Sequence, residues 1–94
     1  MIKYLLSYTN LFKKQRKLLI KRGYDIRELD AVINLLATGE KLPEKYRDHA
    51  LTGNRKGQRD CHIRPDWLLI YEKNKDVLTL LLCETGSHND LFDL

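Results

Sequence analysis

Three histidines fall in three separate regions of the chain: His49 in a polar stretch, His62 in RDCHIRPDW, and His88 in TGSHNDLF. Imidazole exchanges protons near neutral pH more readily than any other side chain, so a set of histidines suggests general acid-base chemistry. Taken singly, a histidine is more often a surface or packing residue. The flanks of these three raise the odds: Asp48 adjoins His49, Arg64 and Asp66 follow His62, and Phe92 lies one helical turn beyond His88. Three imidazoles and a carboxylate are also a donor set for zinc. The spacings match neither a finger nor a helical metalloprotease site, and the surrounding arginines and lysines would repel a cation. Serine or cysteine nucleophiles have less support. Cys61 and Cys83 sit in apolar, strand-like surroundings, where a free thiol behaves as a small buried hydrophobe, and neither is assigned a role.

A second group of residues suits a polyanion. Arg55, Lys56, Arg59 and Arg64 crowd the approach to His62, and cations of this kind position phosphates. Trp67, Phe92, Tyr46 and Tyr71 offer ring faces on which unstacked bases could lie. Tyr71 follows Leu-Leu-Ile in a strand and is expected in the core. The net charge is +4, and the first 24 residues hold seven cations and no acid. Such a run is either a solvated helix face or a surface for an anionic partner.

These side chains need a frame. Ninety-four residues support one hydrophobic core and one domain, residues 1–94. IKYLLSY, from Ile2 to Tyr8, suits a strand. Thr9 or Asn10 caps a helix from about Leu11 to Arg22, with Leu11, Phe12, Leu18 and Leu19 as its apolar stripe and Gly23 as its stop. Asp25 with Glu28 three residues later has capping-box form and opens a second helix, in which Ile26, Leu29, Ile33 and Leu36 recur and which Gly39 ends. So short a turn predicts an antiparallel helical hairpin. Residues 40–58 read as a long polar loop with at most a short strand near Ala50 and Leu51. Three strands follow, about Arg59–Arg64, Trp67–Lys73 and Val77–Cys83, with Asn74, Lys75 and Asp76 as the last hairpin turn, and the chain closes with a helical turn from His88 to Phe92.

Helices followed by adjacent strands indicate an α+β fold: an N-terminal strand and a helical hairpin packed on one face of a small antiparallel sheet. In the strand from Arg59, alternation sends Cys61 and Ile63 toward the helices, while Gln58, Asp60, His62 and Arg64 line the open face. No stretch has the length of a membrane span, and MIKYLLSYTNLF lacks the form of a signal peptide. A reducing cytoplasm and no membrane contact are the expectation.

DHALTGNRKGQRDCHI, then PDWLLIY, then TGSHNDLF give the chain a resemblance to the RelE superfamily of toxins from toxin-antitoxin pairs, specifically its YafQ branch, and the likeness covers nearly the whole length. The resemblance implies a RelE-like, microbial-ribonuclease-type α+β fold. It implies an endoribonuclease that cuts messenger RNA on the ribosome without metal or other cofactor, silenced by a cognate antitoxin that also carries the pair onto operator DNA. It implies His49, His62, Asp66 and His88 as acid-base groups: His88 the acid, Asp66 or His49 the base, and His62 orienting the phosphate. Trp67 and Phe92 would shape the substrate pocket. One residue departs from the pattern. Where relatives carry an arginine just before the final motif, this chain has Glu84. Either Arg59 or Arg64 supplies the missing charge, or Glu84 points away, or activity is weakened; a Glu84 that lines the site predicts a gain on replacement by arginine. The alternatives to a ribosome-dependent nuclease are a catalytically dead RNA- or antitoxin-binding module and a ribonuclease of free RNA.

Overall fold

The computed structural model describes residues 3–92. Its elements run β1 (Leu5–Tyr8), α1 (Asn10–Lys21), α2 (Ile26–Ala37), β2 (His49–Ala50), β3 (Arg59–Arg64), β4 (Trp67–Asn74), β5 (Thr79–Gly86) and α3 (His88–Phe92), with short 3₁₀ turns at Glu44–Tyr46 and Gly53–Arg55. The sheet order is β1-β5-β4-β3-β2. The expected helical hairpin on a small sheet is present, with one refinement: β1 runs parallel to β5, while every other pairing is antiparallel. Ile2, where the first strand was expected to begin, lies outside the described residues.

Each helix starts on the residue expected to cap it. The Thr9 hydroxyl accepts from Phe12 N at 2.9 Å and donates to the Cys83 carbonyl at 2.6 Å, so one side chain both caps α1 and ties it to β5. Asp25 accepts from Arg27 N. Glu28, however, does not complete a capping box, because its carboxylate is taken by Arg64. The stripe on α1 is narrower than expected. Phe12 and Leu19 are buried, while Leu11 and Leu18 are 49% and 45% exposed. Gly39 follows α2 at φ 82°, and a Cβ there would lie 2.8 Å from the Lys3 side chain, so the turn is confined to glycine.

β4 explains the core. Its start, Trp-Leu-Leu-Ile-Tyr, is apolar without alternation, the pattern of a strand covered on both faces. Trp67, Leu69 and Tyr71 join the helix-side core with Phe12, Leu29 and Leu36. Leu68 and Ile70 face the other way and join Cys83 and Leu91. The face expected to be open is therefore roofed in part by α3 and by the loop at Leu51.

Two bulges re-aim side chains. Between His62 and Arg64 the β3–β4 register slips, which turns Arg64 onto the helix side, where it meets Glu28 of α2 at 2.5 Å. Between Ile70 and Tyr71 the β4–β5 register slips as well, which leaves Cys83 and Glu84 both on the side away from the helices. β5 begins later than expected, at Thr79, because the Asn74 side chain accepts from the Asp76 and Val77 amides and lengthens the turn, and it also ends later, at Gly86.

Candidate functional site

The strand pairings bring the three histidines together. His49 on β2 stands opposite Asp60 on β3, and His62, two residues on, shares that face. His88 arrives from α3. The His49 and His62 rings lie 6.5 Å apart and the His62 and His88 rings 5.6 Å apart, so the imidazoles form a row across the sheet.

Hydrogen-bond partners assign a job to each ring nitrogen. His49 Nδ1 lies 2.9 Å from the Arg47 carbonyl, which can only accept, so Nδ1 carries the proton and Nε2 of the neutral ring is a lone-pair acceptor. His88 Nδ1 lies 2.6 Å from Asp66 Oδ1, and that same oxygen accepts from the His88 backbone N–H at 2.9 Å. These two bonds hold the Asp66 carboxyl below the usual carboxylate range, the backbone bond contributing more than the side-chain bond. Asp66 thus stays ionised and orients His88, with Nε2 turned outward. A carboxylate so engaged is a poor base, which argues against Asp66 in the base role expected of Asp66 or His49.

Between His49 and His62 lies a carboxylate not among the expected site residues. Asp60 is 4% exposed. Its Oδ1 has no hydrogen-bond partner and stands 3.8 Å from His49 Nδ1 and 3.9 Å from His62 Nδ1, a nitrogen that is itself unpartnered. Burial raises the Asp60 pKa, opposed by the nearby histidines. Burial is also the largest influence on His62, lowering its pKa, so this ring is held neutral. The Asp60 signal was present in the sequence: it precedes His62 by two, the spacing of same-face neighbours on a strand.

The expected substrate contacts divide. Phe92 is half-buried beside the site, with the Arg55 guanidinium 4.9 Å over its ring. Lys56 is exposed. Arg64 borders a cleft of about 630 Å³ that runs from His62 past Arg47 and Tyr46 to Glu28 and Ala31 of α2. Arg59 is not on this face: it pairs with Tyr71 across the ladder and meets Asp48 at 3.2 Å on the helix side. Tyr71 is buried as expected, its hydroxyl donating to Asp48. Trp67 is 2% exposed, its ring edge-on to Tyr24 and its Nε1–H donating to Thr85 Oγ1, so it is a core residue without a free face for a base. Arg47, at the mouth of the cleft in left-handed conformation at φ 49°, had no distinguishing signal in the sequence.

Glu84 points into the site face. Its Oε2 is 2.7 Å from Arg55 Nη1. Arg55, rather than Arg59 or Arg64, is the cation that answers it. Among the described residues no three His, Cys, Asp or Glu side chains are grouped closely enough to hold a metal ion, and no helix is long and apolar enough to cross a membrane.

Comparison with known proteins gives the family and the fold. Residues 4–93 match the family described as the bacterial toxin of type II toxin-antitoxin system, YafQ. The mRNA interferase toxin YafQ of Escherichia coli K12 is 39% identical over 88 residues, covering 93% of this chain and 94% of that protein. YafQ in the crystal structure of the E. coli DinJ-YafQ complex superposes with a TM-score of 0.88 at 38% identity, covering 95% of this chain and 98% of the other. A metal-bound toxin from Helicobacter pylori superposes with a TM-score of 0.88 at 41% identity, covering 98% and 100%.

Proposed function

The chain belongs to the YafQ family of bacterial toxins of type II toxin-antitoxin systems, and on that premise we propose that it is an mRNA interferase in which His49 is the general base and His88 the general acid. His49 Nε2 takes the proton of a ribose 2′-hydroxyl as its oxygen attacks the adjacent phosphorus. The bond from phosphorus to the next nucleotide's 5′-oxygen breaks, and that oxygen takes a proton from His88 Nε2. The products are a 2′,3′-cyclic phosphate and a free 5′-hydroxyl, and no metal enters the step. The carrying observation is the His88–Asp66 pair at 2.6 Å, since an ionised carboxylate on Nδ1 stabilises the imidazolium needed for the acid role. His62, neutral in its half-buried place, orients the phosphate.

The cleft beside His62 suits a nucleotide next to the scissile bond. Lys45, Arg47 and Arg64 lie along its wall for phosphate contact, so binding weakens with salt. The partner is a cognate antitoxin, as in the DinJ-YafQ complex: the basic N-terminal third suits an acidic or amphipathic segment that orders on binding, and the pair binds operator DNA through the antitoxin. The ribosome is where the messenger is presented, which places the protein in the cytoplasm.

The test is primer extension on one messenger, free and in programmed ribosomes, with and without EDTA. Cleavage confined to ribosomes and unaffected by EDTA is the expected outcome. Cleavage of both forms would make it a ribonuclease of free RNA; no cleavage by folded protein would leave a binding module.

Asp60 gives a further expectation. Its raised pKa means that folding disfavours the ionised form, so the group's stability contribution is present at low pH and lost as pH rises from about 3.8 through the folded value. Asp60→Asn should therefore raise the thermal midpoint at pH 7 and slow cleavage, because the charge beneath His49 and His62 is gone. The stability gain should shrink toward pH 3.5. An Asn variant no more stable than wild type at pH 7, by calorimetry at both pH values, would contradict this.

A further inference from the structure

α3 has five residues, too few for a helix to hold itself in water, yet it carries both His88 and Phe92. Its N-terminal end is fixed several times over. Ser87 Oγ accepts from Asp90 N, Asp90 Oδ2 accepts from Ser87 N, Arg22 reaches Asp90 at 3.2 Å, and Asp66 accepts from His88 N. The C-terminal end is fixed by Arg55. One guanidinium nitrogen, Nη1, donates to Glu84 Oε2 at 2.7 Å and to Gln58 Oε1 at 3.2 Å, Nη2 donates to the Leu91 carbonyl at 3.1 Å, and the group lies over the Phe92 ring.

We infer that Arg55 and Glu84 form a clamp that sets α3 on the sheet, which makes both of them positioning residues for His88 rather than contacts to RNA. The inference rests on the reading of His88 as the acid. Two local features deliver the pair. The β5 bulge aims Glu84 at the face bearing the histidines, and the turn between Gly53 and Gly57, both at positive φ, carries Arg55 over it. The Arg55 side chain is three-quarters buried, and a guanidinium so engaged would have to release a carboxylate and a carbonyl before it could take a phosphate. Lysine cannot replace it, because one ammonium cannot span Glu84 and the Leu91 carbonyl with the planar fork of arginine. The pairing also reverses the effect of Glu84→Arg that the sequence suggested: a second guanidinium would repel Arg55 and free α3.

The experiment compares wild type with Arg55→Lys, Glu84→Gln, Glu84→Arg and the swap Arg55→Glu/Glu84→Arg. The readouts are kcat and KM on programmed ribosomes, the salt dependence of KM, and amide exchange at Leu91 against β4. The clamp predicts that Arg55→Lys and Glu84→Gln lower kcat by on the order of 10- to 100-fold, as small misplacements of a reacting group do, with KM within about threefold of wild type and an unchanged salt slope. Leu91 should exchange faster while β4 stays protected, Glu84→Arg should lose activity, and the swap should recover part of that loss. The inference is overturned if Arg55→Lys keeps full kcat, if its loss falls in KM with kcat unchanged, or if Glu84→Arg raises activity. If wild type does not cleave at all, the reading of the function fails, and Leu91 exchange still decides the clamp.

Discussion

His88→Ala should lower cleavage by about 10²- to 10⁴-fold, the usual worth of a positioned proton donor. The loss should fall in kcat, because the imidazole acts on a leaving oxygen that gains charge only in the transition state. The fold should survive. His88 is half-exposed, and the Asp66 carboxylate keeps one of its two bonds, from the backbone N–H at position 88. Asp66→Asn separates two contributions. It removes the charge that stabilises the imidazolium and can leave the ring in place, so it should cost less than His88→Ala. Single-turnover cleavage on programmed ribosomes across pH would measure both. A His88→Ala enzyme within a few-fold of wild type would remove this residue from the reaction.

Trp67→Ala should cost about 3–5 kcal/mol of stability, the range for deleting a large aromatic from a packed core. The indole lies within the helix-side core, edge-on to Tyr24. Its Nε1–H donates to Thr85 Oγ1, which in turn donates to the Leu68 carbonyl, so one chain of bonds stitches the start of β4 to the end of β5. Truncation opens a cavity and also breaks that chain. Trp67→Phe keeps most of the volume and loses the bond, and should cost about 1–3 kcal/mol. Urea denaturation of both variants measures this. If Trp67→Ala retains the wild-type midpoint and instead raises KM, the ring is a base contact after all.

These two residues also mark how far the sequence could be read. The row of histidines was legible because strand alternation puts Asp60 and His62 on one face, and the final motif returns His88 to the same face. The helices were legible through their caps, Thr9 and Asp25. What local pattern could not reveal were the two bulges. Simple alternation puts Arg64 beside His62, and one slipped residue carries it to Glu28. The same limit hid the aim of Glu84, whose partner is 29 residues away in a polar loop. Trp67 was misread for another reason. A large ring face serves base stacking and core packing alike, and only the unbroken apolar run that follows it shows that the strand is covered on both sides. Arg59 lies on the helix side with Cys61, where the same alternation already placed it, opposite Tyr71.

The parallel pairing of β1 with β5 bears on how the molecule comes into being. Leu5 to Tyr8 find their partners at Thr79 to Leu82, across almost the whole chain. Contacts of such sequence separation demand loop closure before they return any stability, and they slow folding relative to local ones. A nascent chain can form the α1–α2 hairpin early, but β1 has no neighbour in the sheet until β5 has been made. His88 follows β5. The acid of the proposed reaction is thus made only after the strand that closes the sheet supporting it. Activity should therefore appear only after β5 and α3 have both been made and β1 has closed onto the sheet.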